Sequence, residues 1–306
     1  MTRLWTTVTI IILLLVFIGY MVFDLALKKN PADEVIRMPG DSIIADKWSL
    51  INVFEPGKGS LIAVAVSQSG IIYLGGDRFI ASYDSLYNLI WEHGTEMPVT
   101  ALAVSTDRVY AAAHNIIMVF GTDGKKVDEW GPYEDKSMIT SVTANEDYIA
   151  YADATGKRVF VLDIEGVLKH IIGNSEDPFI IPSPYFDVVL GKDDILYIAN
   201  TGRRRIERRS IDGTLIDYFG TEGTAPGAFC GCCNPAHFTV IPGGFITAEK
   251  GINRIKILDS KGDFVEPVSF TNKFVPSQPL DIASADGRII YGANRADSKL
   301  YVFNRD

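Results

Sequence analysis

The stretch DILYIANTGRRRIERRSIDGTLIDYFG, residues 194–220, decides the fold. It opens with a run rich in Ile, Leu and Tyr, breaks at the polar turn Thr201-Gly202-Arg203-Arg204, and resumes as a second run. A further turn ends at Gly213, and the closing run is LIDYFG. Short apolar-polar runs bounded by Gly, Asn and Asp read as consecutive antiparallel strands. The same order recurs in residues 70–94, 107–131, 147–173 and 243–268, and in a shorter form in 287–306. The turn glycines Gly124, Gly166, Gly213 and Gly262 stand 42, 47 and 49 residues apart. A repeat of that period, built of strand-length segments, predicts the four-stranded blades of an all-β propeller.

The last segment stops at Asp306, one strand short of a blade. A matching run, WSLINVFE at residues 48–55, lies ahead of the first full repeat. An N-terminal strand that completes the final blade closes the ring and leaves only short, protected sheet edges. The expectation is a six-bladed propeller over residues 47–306.

Residues 194–220 and the stretch GGFITAEKGINRIKILDSKG at 243–262 resemble NHL repeats. The likeness extends over most of the propeller region and implies six blades. It also implies that Arg205 and Arg254 tie neighbouring segments together, as arginine does at that place in NHL-like blades. The family includes enzymes, sensor domains and binding scaffolds, so the resemblance does not fix an activity.

Ahead of the propeller, residues 4–23 carry no charge. As a helix they would rise about 30 Å, the depth of a bilayer core. No small-x-small cleavage motif succeeds them, so residues 1–23 read as an uncleaved single-pass anchor in membrane lipid, and 24–46 as a stalk. A single N-terminal anchor usually exports the domain C-terminal to it, which places the propeller outside the cytoplasm. The net charge of −9 argues against nucleic acid as a partner. The tether points instead to another membrane or extracytoplasmic protein.

All three cysteines fall in AFCGCCNPAHF, residues 228–238: Cys230, Cys232 and Cys233, with His237 shortly after. The stretch comes after the outer strand of the fourth repeat and precedes the inner strand of the fifth. It is therefore an inter-blade crossover, with His237 at the mouth of the central channel. Three readings stand open. Thiolates with an imidazole suit zinc, copper(I) or an iron–sulfur cluster, although C-x-C-C-x3-H is not a standard zinc spacing. Outside the cytoplasm the thiols can instead form one disulfide and leave one cysteine spare. Or the cysteines only pack and pin the crossover.

On the same face lie His114, Arg203, Arg204 and Lys250 as candidate site or partner contacts, and such cations are expected to lower a neighbouring thiol's pKa. Asp187 and Asp281 fall on inner strands that border the channel. The leading functional expectation is a membrane-tethered accessory module whose thiol loop holds a metal or redox centre, or docks on a membrane complex that has one. The rival is a metal-dependent lyase or hydrolase with its site at the channel mouth. A scaffold with a disulfide-pinned loop is the third.

Overall fold

A computed structural model describes Trp5 and residues 13–20, 47–191, 193–231, 233–252, 254–270 and 274–306. Within the segment read as an anchor, Trp5 and residues 13–20 are helical and exposed. The rest of that segment, and the stalk at 24–46, lie outside the described residues. Among the described residues no helix is long and apolar enough to cross a membrane.

In the fourth repeat the strands are Val188–Leu190, Leu196–Asn200, Arg205–Arg209 and Leu215–Phe219, hydrogen-bonded in chain order. The described residues form six such antiparallel sheets of four strands. Five are consecutive in the chain. The sixth joins Asp281–Ala283, Ile289–Asn294 and Lys299–Arg305 to Trp48–Phe54, the strand from the other end of the chain. Trp48 pairs with Arg305 and Phe54 with Leu300, so the predicted closing strand is in place. The inner strands pack side by side around an axis, and the first lies against the last.

Alternation within the blades fills the gaps between them. Each pair of neighbouring blades sandwiches its own apolar cluster. Ile80, Val99, Leu102 and Val109 belong to the cluster between blades one and two, while Phe219, Phe229, Phe238 and Phe245 belong to that between four and five. The turn glycines serve these contacts as well as the turns. Gly124, Gly166, Gly213 and Gly262 all have φ between +82° and +92°, which favours glycine. A Cβ on Gly166 would also lie 2.5 Å from the indole of Trp130 on the previous blade's outer strand. Ile172 and Phe219 cover Gly213 and Gly262 in the same way.

The crossovers between blades and the turns between second and third strands share one face, here called the upper face. The remaining turns form the lower face. There Asp84, Asp123, Asp163, Asp212, Asp259 and Asp286 accept hydrogen bonds from backbone N–H groups of their own turns. These bonds, with side-chain partners, hold the carboxyls of Asp84, Asp123, Asp163, Asp212 and Asp259 below the usual range. Six of the protein's 38 acidic residues thus serve these turns. The chain enters the propeller at Lys47, on the lower face, because the closing strand runs from there toward the upper one.

Candidate functional site

The crossover from blade four to blade five, residues 220–236, is held from both sides. Within it Phe229 N–H donates to the Thr221 carbonyl at 2.8 Å, Gly223 N–H donates to the Phe229 carbonyl at 3.1 Å, and the Phe229 ring is fully buried. Beneath it the third strand of blade five, Arg254–Asp259, sends up two buried cations. Arg254 grips Glu249 with two bonds of 2.7 and 2.8 Å and donates to the carbonyls of Ala225 and Ala228. Lys256 donates to the carbonyls of Pro226 and Ala228, at 2.9 and 2.8 Å, and lies 3.0 Å from Glu249. Its ammonium also lies over the Phe229 ring. Burial pushes the Lys256 pKa down to about 8 against the pull of Glu249. Arg254 therefore ties segments together, as the NHL resemblance implied. Arg205 bonds Glu207 within its own strand and lies over the Tyr218 ring.

The thiol-bearing part is clamped as well. Buried Asn234 donates to the carbonyls of Cys230 and Lys250, and accepts from Lys250 N–H at 2.7 Å. Arg204 Nε donates to the Gly231 carbonyl at 2.7 Å and pairs with Glu222. Arg204 therefore engages the crossover through its guanidinium and Lys250 through its backbone. Arg203 is exposed, its Nη2 donating to the Pro178 carbonyl at 3.5 Å, and His114 is exposed on blade two's upper turn, away from blades four and five.

Cys230 is partly buried over the Glu249–Arg254–Lys256 cluster, and Asn234 Nδ2 is 3.9 Å from its sulfur. The expectation that nearby cations depress its pKa is not met. Burial raises it and Glu249 adds to the rise, outweighing Arg254 and Lys256, whose charges are already spent on Glu249 and the loop carbonyls. Cys233 is buried on the other side of the loop, close enough to Tyr185 to raise that phenol's pKa. Cys232 lies outside the described residues. Among the described residues no group of three His, Cys, Asp or Glu side chains is spaced to hold a metal ion.

His237 faces the channel. It belongs to a ring set by strand register: Ala63, Ala101, Ser141, Asp187, His237 and Asp281 each sit opposite the small residue Gly75, Ala112, Ala152, Ala199, Ala248 or Ala293 of the second strand. On three blades the ring carries small side chains. On the other three it carries titratable ones. Asp187 accepts from Ser141 Oγ, from Val188 N–H and, across the blade gap, from Phe238 N–H at 2.8 Å. Asp281 reaches Val64 N–H at 2.8 Å. His237 Nδ1 lies 3.5 Å from Asp281 and 3.9 Å from Asp187. The ring borders an axial cavity of about 160 Å3.

Burial sets the protonation states. It lowers His237 to about 4, raises Asp187 to about 6 and raises Asp281 to about 8, with the Asp187 charge adding to the last shift. At neutral pH a protonated carboxylic acid therefore faces a neutral imidazole beside an ionised carboxylate. Tyr185 closes the mouth above them. Its ring meets His237 edge-on at 5.7 Å, its hydroxyl donates to the Ser277 carbonyl, and Lys250 lies over its face at 4.9 Å. The sequence offered no signal for Tyr185 beyond its place in the crossover before Asp187.

No protein-family profile matches the chain, and no curated protein matches its sequence. Solved structures do. A streptogramin B lyase has a TM-score of 0.62 at 15% identity, covering 85% of this chain and 98% of its own. A catalytically inactive virginiamycin B lyase from Staphylococcus aureus, solved with quinupristin, has 0.60 at 17% identity over 85% and 100%. A protein of unknown function from Bacteroides thetaiotaomicron has 0.62 at 12%, over 85% and 76%. At such identities the likeness shows the six-bladed propeller fold alone.

Proposed function

We propose that this NHL-like propeller is a membrane-tethered, extracytoplasmic accessory module that works through the thiol crossover on its upper face. The observation that carries this reading is the burial of Arg254 and Lys256 to hold the carbonyls of residues 225–228. Burying a cation is costly unless it is paired and fully bonded. Rigid placement of a loop is what a ligand loop or a docking loop requires. Clustered thiols suit a soft metal such as zinc or copper(I), an iron–sulfur cluster or a disulfide. His237, turned to the carboxylates, contributes to the channel rather than to a set with Cys230.

The test is a metal analysis, absorption spectrum and free-thiol count on the full chain prepared without air. Stoichiometric metal with thiols shielded until denaturation supports a ligand loop. Absence of metal, with two thiols oxidised reversibly by air, supports a redox loop. Three inert thiols, replaceable by serine with no loss of partner capture, would sink both.

One observation favours an enzymatic reading as well. Asp187 and Asp281 are neighbouring carboxyls whose pKa values are driven apart, the pattern of an acid and base pair, and His237 lies between them. Hydrolase or lyase activity lost in both Asp281→Asn and Asp187→Asn, with the fold retained, would support it. Equal activity in the two variants and the parent would exclude it.

A further inference from the structure

The upper face carries cations that its own carboxylates leave unpaired. Arg204 and Arg158 are matched by Glu222 and Glu134. Arg203, Lys250 and Arg295 have no carboxylate within ion-pair distance among the described residues. Lys250 and Arg295 stand beside Tyr185 at the channel mouth, and Arg203 lies outward of them, where its Nη2 donates to the Pro178 carbonyl at 3.5 Å. Lys250 lies over Tyr185, Arg295 is near enough to pull that phenol's pKa down, and Arg203 is one residue past Gly202, whose N–H donates to the Ile180 carbonyl. Two exposed apolar side chains flank them: Ile180 at 46% and Val275 at 43% exposure. Val275 sits beside the Lys250 turn, because Gly251 N–H donates to the Pro276 carbonyl at 2.7 Å.

We infer that Ile180, Tyr185, Arg203, Lys250, Val275 and Arg295 form a docking surface for an acidic protein partner. Tyrosine and arginine beside aliphatic anchors are the composition that protein interfaces favour. Three unneutralised cations on a protein of net charge −9 select a partner of opposite sign locally while the rest of the surface repels it. An anionic lipid surface would also attract cations. The chain, however, enters the propeller on the opposite, aspartate-lined face, so a partner protein approaching from the side away from that entry fits better. The inference rests on the proposed role of the upper face and gives its partner a chemistry.

The experiment uses the full chain in neutral detergent micelles with fluorescently labelled poly-L-glutamate, an acidic polypeptide, read by anisotropy. Saturable binding that weakens as salt rises is expected. The double variant Arg203→Ser/Arg295→Ser should weaken it about tenfold, whereas Lys125→Ser/Arg288→Ser on the lower face should leave it unchanged. Equal binding by the upper-face variant and the parent overturns the inference. So does tighter, equally arginine-dependent binding to phosphatidylserine vesicles, which would make the surface a lipid site. Thiol and metal assays on the same samples keep the readings apart. Poly-glutamate binding retained in Cys230→Ser/Cys233→Ser supports the docking surface even where the thiol loop proves inert.

Discussion

The interface between blades one and two and that between blades four and five solve one packing problem in two ways. The first is mainly apolar, with Ile80, Val99 and Val109 fully buried, Trp91 and His93 bonded across it to the carbonyls of Thr122 and Gly124, and a short crossover at 95–100. The second has a smaller, phenylalanine-rich cluster, and beside it the buried Glu249, Arg254 and Lys256 hold a long crossover. The channel ring divides in parallel: Ala63 and Ala101 on blades one and two, Asp187, His237 and Asp281 on four to six. Apolar filling suffices to build the ring. Buried charge holds the blade-five crossover through Glu249, Arg254 and Lys256, pairs Glu207 with Arg209 in blade four, and borders the channel at Asp187.

The sharpest way to break this comparison is Glu249→Ala. It would leave two buried cations without their carboxylate and should cost about 3–5 kcal/mol in chemical denaturation. It should also speed the reaction of Cys230 with a thiol reagent. If the loss is under about 1 kcal/mol, the ion cluster does not hold the loop. Ile80→Ala in the apolar interface should cost roughly 2–4 kcal/mol through the cavity it leaves, with Cys230 reactivity unchanged. Altered thiol reactivity there would mean that the two interfaces are not independent.

Asp281→Asn sharpens the second half of the contrast. The folded-state pKa of Asp281, about 8, lies above its unfolded value of 3.8, so the native state binds the extra proton between those limits. Its contribution is therefore fully present below pH 4 and is lost as pH rises toward 8. Relative to the parent, the variant should gain stability across that window, reaching on the order of 2 kcal/mol or more at pH 9, and gain nothing at pH 4. His237, lowered to about 4, acts oppositely and weakens the fold as pH falls below 6.5. Matched melting curves at several pH values test both signs. No pH-dependent difference would show that Asp281 is ionised in the native channel.

The smallest effect is expected of Arg204→Ser. It removes a bond to the Gly231 carbonyl and a surface ion pair with Glu222, and should cost under about 1 kcal/mol. Because Gly231 lies between the cysteines, thiol reactivity should nevertheless rise measurably. A large stability loss with unaltered thiols would reverse the assignment of Arg204 to the loop.

By itself the sequence determined the blade. Strand runs, turn glycines and the orphan strand at residues 48–55 are local signals, so the six sheets and their closure could be read from spacing. It also placed Cys230 and Cys233 on a crossover and His237 at the channel, because both positions are fixed by chain order. Only the tertiary structure decided what these residues meet. Lys256 and Arg254 alternate along an ordinary-looking strand, and nothing local says that they point under the preceding crossover rather than to solvent. Asp187, His237 and Asp281 come from three consecutive blades about fifty residues apart, and the packing of their inner strands around the axis sets the carboxyls against the imidazole. The pKa of Cys230 went the other way from the sequence expectation for the same reason: a count of nearby cations carries no sign until their partners and the depth of burial are known.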